Sequence, residues 1–318
     1  MLGSYVLVVV LLVVLNFLLP RALPGEPIAA LGDPEAATYV GDAGTRAAVE
    51  RYYGLDRPLV PELGRYLTGL VGGDLGTSIQ YQRPVSSVLA DRLPWTLLLV
   101  GSALALATLA GILAGIHSGW RRERPADRLL VGTFLALDSL PTFFLGSLAA
   151  YLLAVKLGWL PLSGARTPFS GSWGPLRQAW DVLEHLLLPA GVLALQFVTL
   201  QYLVMRSSMV GELGADHLLL GRAQGLSDRN LKYRYAARNA MIPSVTVLGL
   251  QVGSSIVAAI FVESIFAYPG LGGLMFNAVG ERDYPLMQGC FLALSLLVVT
   301  ANLVVELTYR RLDPRSAP

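Results

Sequence analysis

Charged residues in this chain crowd into a few segments and leave long apolar runs between them. Six runs approach the roughly 20 residues that an α-helix needs to cross a bilayer. They are Leu2–Leu19, Leu93–Ile116, Leu129–Val155, Leu186–Met205, Ile242–Val262 and Leu286–Val305. A spanning segment must satisfy its own backbone groups in lipid, which an isolated stretch does as a helix. The pattern therefore predicts an all-α polytopic membrane protein with six transmembrane helices. Pro94, Pro189 and Pro243 fall near the starts of their runs, where a missing N–H costs least. Pro141 falls in the middle of the third run and predicts a kink or break there. The first run has no basic residues ahead of it and is expected to be a retained span, not a cleaved leader.

The connecting segments set the orientation. Arg121, Arg122, Arg124 and Arg128 follow the second run. Arg206, Arg222, Arg229, Lys232, Arg234 and Arg238 follow the fourth, and Arg310, Arg311 and Arg315 follow the sixth. A six-span path puts all three segments on one side, which predicts cytoplasmic N and C termini; Arg21 argues the other way and is outvoted. The chain divides into a first helix (1–20), an extracytoplasmic loop (21–92), a five-helix core (93–309) with a cytoplasmic loop at 206–240, and a tail (310–318). The 21–92 loop is rich in Gly, Pro and balanced charge and is too long for a plain linker. Within it Thr45–Tyr53 reads as a short helix and Gly72–Gly76 as a turn.

Composition agrees: of 318 residues 54% are hydrophobic and 14% charged, which excludes an ordinary soluble enzyme. A net charge of +2 without a long basic run gives no footing for nucleic acid. The single Cys290 excludes an intramolecular disulfide framework and reads as a small buried or lipid-facing residue. Neither lysine, Lys156 nor Lys232, follows a glycine, so the phosphate-cradling loop of a P-loop ATPase is missing. No His-Glu-x-x-His or Gly-x-Ser-x-Gly string occurs, and His117, His185 and His217 lie in separate segments, read as interfacial or loop residues.

Ionisable groups inside spans cost about 2.5–3.5 kcal/mol to insert, so each raises a question of function. Asp138 lies beside Pro141; it either faces a pathway or pairs locally with hydroxyls or a backbone amide freed by the proline. Glu263 and Glu306 lie at span ends and are expected to reach an interface. Gln196, Thr199, Gln201 and Gln251 either line a path or glue helices together.

The loop after the fourth span is the most informative segment. Asp216-His217-Leu218-Leu219-Leu220-Gly221-Arg222-Ala223-Gln224-Gly225-Leu226-Ser227 reads as a short helix that ends at Gly225. Its expected apolar face is Leu219, Ala223 and Leu226. Ser227 suits the N-cap of a second helix opened by Asp228. Two short helices at a bend form either a knob for a partner's groove or an amphipathic loop on the membrane surface.

This loop resembles the EAA loop of ABC-transporter permeases in its peptide-transporter form. The resemblance covers the whole chain: Leu19-Pro20-Arg21, Pro24-Gly25-Glu26-Pro27, Tyr53-Gly54-Leu55-Asp56-Arg57-Pro58, Gly73-Asp74-Leu75-Gly76-Thr77-Ser78 and Arg92-Leu93-Pro94-x-Thr96-Leu97 occur in the family's order. Ser139-x-Pro141-x-Phe143, Gly158-Trp159-Leu160-Pro161, Arg238-Asn239-Ala240-x-Ile242-Pro243, Glu263-x-x-Phe266-x-x-Pro269-Gly270-Leu271-Gly272 and Asp313-Pro314-Arg315 follow. The chain departs from the family at His217, Gly221 and Gln224, which replace a tyrosine, an alanine and a lysine.

The resemblance implies a type I ABC importer permease of the dipeptide, oligopeptide and nickel branch, B-type subunit, in a bacterial inner membrane. It implies a second homologous permease, two ATP-binding subunits carrying ATP and Mg, and an extracytoplasmic substrate-binding protein, with no cofactor on this chain. Asp216, His217, Gly221, Arg222, Ala223, Gln224, Gly225, Leu226 and Ser227 would couple to an ATPase. Arg46, Glu50, Arg51 and Tyr53 would dock the binding protein, and Asp138, Gln196 and Gln251 would line the path. Nickel or another small solute is the alternative cargo; an intramembrane enzyme or a receptor is the alternative class. Deleting Thr45–Tyr53 is expected to abolish stimulation of the complex's ATPase by the binding protein, and unchanged stimulation would disprove that docking role.

Overall fold

The computed structural model describes residues 2–22 and 58–312, and its regular elements there are helices, with an isolated bridge between Thr77 and Pro84. In order they are α1 (Leu2–Ala22), α2 (Leu59–Val71), α3 (Val85–Trp120), α4 (Pro125–Asp138), α5 (Thr142–Ala149), α6 (Pro175–Glu212), α7 (Asp216–Ala223), α8 (Asp228–Asn230), α9 (Ala237–Ile265), α10 (Leu271–Gly280) and α11 (Tyr284–Leu312). A π-helical turn, Ala150–Lys156, continues α5, and another, Leu231–Ala236, joins α8 to α9. Among the described residues four helices are long and apolar enough to cross a membrane, at Val85–Trp120, Pro175–Glu212, Asp228–Ile265 and Tyr284–Leu307. The broken pair α4–α5 makes a fifth candidate, and the apolar part of α1, Tyr5–Leu18, is shorter.

The long helices begin well before their apolar runs. Pro94, Pro189 and Pro243 therefore lie inside α3, α6 and α9, not in first turns. Hydropathy marks the lipid-immersed part of a helix, whereas backbone hydrogen bonding carries the helix on past it into polar sequence. The described residues form two compact units, those up to 96 with 269–299 and those of 97–268 with 300–312.

In the larger unit α6 is the central helix. Sixteen of its residues are buried, among them Leu193, Tyr202, Met205 and Met209. Gly111, Gly115 and Gly119 recur every four residues on α3 and lie directly on α6. A Cβ on them would stand 2.7 Å from the Gln201 Cβ, 2.7 Å from the Met205 Cβ and 2.6 Å from the Met209 Cβ. The two helices run parallel along this seam, and only glycine permits so close an approach. On the opposite face of α3, Leu106, Leu109 and Leu113 are exposed, as lipid-facing residues of a span would be. Gly146 of α5 packs on Ile265 and Val192, and Gly253 of α9 lies against the Asn302 side chain.

Pro141 breaks the third apolar run: α4 and α5 meet at 100°. Proline cannot donate to the ladder and disfavours helical geometry in the residue before it.

In the smaller unit α2 ends in two reverse hydrogen bonds, Asp74 N to Gly69 O (2.8 Å) and Gly73 N to Leu70 O (3.1 Å), with Gly73 at φ +75°. This is the glycine-capped helix end known as a Schellman motif, so the expected turn at Gly72–Gly76 is present. Asp74 Oδ1 then accepts from Gly76 N at 2.9 Å. The loop delivers buried Ser78, whose hydroxyl donates to Asp283 Oδ2 at 2.5 Å. Asp283 also accepts from Gln80 N (3.0 Å) and, as cap of α11, from Leu286 N (3.1 Å). Thr96 Oγ1 accepts from Leu271 N at 2.8 Å, capping α10 from another helix. Gly289 receives Val85 of α3, and Cys290 is buried.

Gly115→Ala is expected to destabilise the fold by about 1–3 kcal/mol, because the new methyl meets backbone atoms that cannot swing aside. Gly101→Ala, where a Cβ meets nothing within 4 Å, should stay within about 0.5 kcal/mol. Thermal unfolding of both variants in one detergent checks the contrast.

Candidate functional site

The corner at 206–240 is built from local sequence chemistry. Asp216 opens α7 and Ala223 closes it. Gly225 stands at φ +77°, a conformation that favours glycine. Gly225 N donates to Arg222 O and Leu226 N to Gly221 O, both at 3.0 Å, a second Schellman motif. Ser227 caps the next helix, its hydroxyl accepting from Asn230 N at 3.4 Å. The stop at Gly225 and the restart at Ser227 are thus where the sequence predicts them.

The buried face of α7 differs from the expected one. Leu218 and Gly221 point inward, while Leu219 and Leu220 are 53% and 60% exposed, Ala223 is exposed and Leu226 is half-buried. A Cβ on Gly221 would lie 2.7 Å from Leu231 Cδ2 and 3.3 Å from Leu226 Cδ1, so the departure from alanine admits those leucines. Leu218 and Leu231 join Ile116, Met205, Met209, Ala236, Ala237 and Ala240 in one apolar cluster, which clamps the corner to α3, α6 and α9.

Polar contacts tie the same pieces. Trp120 Nε1 donates to Asp228 Oδ2 at 2.9 Å. Lys232, buried, places Nζ 3.4 Å from His117 Nδ1. Glu212 lies 3.2 Å from His217 Nε2 and accepts from Asn239 Nδ2 at 3.3 Å. Arg222 and Gln224 are exposed.

Just inside this corner is an ion pair, a buried carboxylate with a half-buried guanidinium, that the sequence pattern does not single out. Asp127, in the first turn of α4, receives both Arg206 Nε and Arg206 Nη2 at 2.7 Å. It also accepts from Ser118 Oγ and, at 2.8 Å, from Glu123 N. Ser118 Oγ is 2.7 Å from the Tyr202 hydroxyl. One carboxylate thus joins the end of α3, the start of α4 and the last turns of α6. A two-pronged guanidinium and two further donors are what a buried carboxylate requires.

Along α4, α5 and α6 the contacts continue as a ladder. The Phe134 and Tyr202 rings stack at 4.4 Å, Thr199 Oγ1 donates to Phe134 O at 3.0 Å, and Thr142 Oγ1 donates to Gln196 Oε1 at 2.7 Å. Gln251 Nε2 donates to Phe197 O at 2.9 Å, and Gln201 Nε2 lies 3.5 Å from Thr108 Oγ1. Gln196, Thr199, Gln201 and Gln251 therefore all join helices, and Gln196 is exposed as well. Asp138 is exposed at the break, and the neighbouring Ser139 hydroxyl donates to Ala136 O at 2.7 Å instead of to its carboxylate.

Two expectations are corrected. Glu263, placed by sequence at an interface, is fully buried (0% exposed) near the end of α9, the helix that packs along α6; Glu306 is half-buried. His185 is buried too, with Nδ1 2.8 Å from Asp181 O, and the Asp181 carboxylate is held by Thr167 N (2.9 Å) and Thr167 Oγ1 (2.6 Å). Arg46, Glu50, Arg51 and Tyr53 lie outside the described residues. Among the described residues no three His, Cys, Asp or Glu side chains converge as metal ligands would.

Residues 107–317 match the family of binding-protein-dependent transport system inner membrane components. A Brucella ovis protein named as a peptide permease is 37% identical over 305 residues, covering 96% of this chain and 93% of the relative. Glutathione transport system permease proteins GsiC are 38% identical in Salmonella paratyphi A and 36% in Escherichia coli O6:H1, each over 301 residues, 95% of this chain and 92% of the relative. A chain whose helices are packed through glycines and whose long elements are apolar enough to cross a bilayer thus belongs to the inner-membrane permeases of binding-protein-dependent ABC importers.

Arg206→Ala, which leaves the buried Asp127 carboxylate without its counter-ion and with only the Ser118 and Glu123 donors, is expected to cost about 3–5 kcal/mol. The double variant Asp127→Leu/Arg206→Met should recover much of that loss. Equal unfolding temperatures for the single and double variants would contradict the pairing.

Proposed function

We propose that this permease and a homologous second permease enclose the path of an ATP-driven importer for short peptides. The relatives' names support the cargo: one is named for peptides, and glutathione is itself a tripeptide. In this reading α1 is counted with the four long helices and the broken pair to give six spans, with both termini in the cytoplasm. The chain carries no ATPase or cofactor of its own; two ATP-binding subunits hold ATP and Mg, and an extracytoplasmic protein delivers the peptide. The 21–92 segment, with Arg46, Glu50, Arg51 and Tyr53, meets that delivery protein.

The observation that carries the reading is the corner itself. Asp216–Ser227 is held in shape by the chain's own hydrogen bonds while Leu219 and Leu220 stay uncovered. A partner's groove that covers these two leucines would couple ATP-driven closure of the ATPases to α3, α6 and α9, rocking the permease between inward- and outward-facing states. Gly225 and Ser227 set the bend, and Arg222 and Gln224 supply its polar rim.

Leu219→Glu/Leu220→Glu changes side chains that this chain leaves exposed, so its fold and membrane insertion should be unchanged. Recovery of ATPase subunits with the tagged permease, and peptide uptake in proteoliposomes holding the whole complex, should each fall at least tenfold. Full ATPase recovery with unimpaired uptake would refute the coupling role, and wild-type complex that moves no peptide would refute the cargo.

A further inference from the structure

The least explained group in the larger unit is Asp138. Its depth follows from the ladder between α4 and α6. The Asp127–Arg206 pair sits at the arginine-rich end of both helices. Asp138 is eleven residues from Asp127 on α4, and Gln196 is ten from Arg206 on α6. At 1.5 Å per residue both lie roughly 15 Å from that end, about half of a 30 Å hydrocarbon core. Thr142, bonded to Gln196 across the break, puts the two at one level.

At that level the backbone is irregular as well. No backbone N–H among the described residues donates to the carbonyls of Asp138, Ser139 or Leu140, because Pro141 and the 100° turn interrupt the ladder. Non-helical backbone and a carboxyl group at mid-membrane depth are tolerated where they line a watery cavity or are covered by protein, not against lipid. Asp138, Ser139 and Gln196 are exposed on this chain, and Phe143, 62% exposed, follows one residue after Thr142. A carboxylate, three open carbonyl oxygens and an aromatic face together form an acceptor-rich lining. An ammonium group offers three donors and no acceptor, and it also favours aromatic faces.

We infer that Asp138 and the opened carbonyls beside it form a cation-recognising station midway along the translocation path, taking the protonated amino terminus of a passing peptide. The peptide part rests on the function proposed above; the cation preference stands on this geometry alone. Gln196, whose Oε1 is engaged by Thr142, holds the opposite wall in register.

The test uses the assembled transporter in proteoliposomes with Cys290→Ala, which removes the chain's single, buried thiol. Gln196→Cys then reports the local potential through a cationic and an anionic methanethiosulfonate reagent of similar size. The cationic reagent should react at least tenfold faster when Asp138 is present, and the ratio should fall severalfold with Asp138→Asn and be retained with Asp138→Glu. An unreactive Gln196→Cys, or a ratio indifferent to Asp138→Asn, would overturn the station. Loss of the second permease from Asp138→Asn complexes would also overturn it, since it would mark a subunit contact instead. In parallel, uptake of trialanine is compared with N-acetyl-trialanine, each saturating the binding protein. The free amine should be preferred by wild type and the preference lost in Asp138→Asn; a preference unchanged by the substitution would overturn recognition of the amino terminus. If wild type carries neither peptide, the peptide reading fails, while the labelling ratio still decides whether a cation station exists.

Discussion

The larger unit depends on how closely α3 can approach α6. Three glycines, Gly111, Gly115 and Gly119, bring the backbones so near that a methyl group would lie within 3 Å of the facing chain. In lipid, where apolar side chains gain little by leaving their surroundings, that proximity is the main source of helix–helix attraction: dispersion and backbone dipoles act over short distances. Because the seam fixes α6 against α3, it also sets the level of every α6 side chain that reaches other helices. Tyr202 and Arg206 meet Ser118 and Asp127, Gln196 meets Thr142, and Met205 and Met209 floor the cluster under the corner. A shift of one turn along the seam would part Tyr202 from Ser118 and carry Met205 and Met209 away from Ile116.

Against that apolar packing, the polar groups do a different job. The Asp127–Arg206 pair adds little net stability compared with a well-packed apolar substitute, but it penalises arrangements in which either partner is left alone. The pair joins residues 79 positions apart in sequence, and Ser78 and Asp283 are joined across 205. In the smaller unit the Ser78–Asp283 bond plays the corresponding part, and the Thr96 hydroxyl caps a helix that the chain reaches much later. Strings that read along the sequence as separate signatures, such as Gly73–Ser78 and Arg92–Leu97, are therefore halves of contacts whose other halves lie near residues 271 and 283.

What could be read in advance divides along the same line. Local chemistry was legible: the stop at Gly225, the cap at Ser227, the turn at Gly72–Gly76 and the break at Pro141 each follow from one residue's backbone preferences. Long-range pairing was not, because nothing near Asp127 in sequence announces Arg206, and nothing near Glu263 announces its burial. The inward face of α7 is hidden from the sequence for a related reason: with leucines at three successive positions, 218 to 220, periodicity cannot say which one turns inward, and the neighbouring α3, α6 and α9 decide it. The seam did carry a readable sign, since glycines four apart within an apolar run mark close helix contact.

The corner at 216–230 keeps its angle through hydrogen bonds and apolar contacts supplied entirely by its own chain. Ordering a flexible segment on association costs roughly 0.5–1.5 kcal/mol for each side chain immobilised. A segment already ordered avoids most of that expense, so in the proposed coupling a partner would need only a small patch such as Leu219 and Leu220 to hold it and could still release it readily. Stiffness has a mechanical side too. A soft loop would absorb a displacement at its tip by bending, whereas a braced one hands the displacement on to the helices at its base, as a lever does and a tether does not.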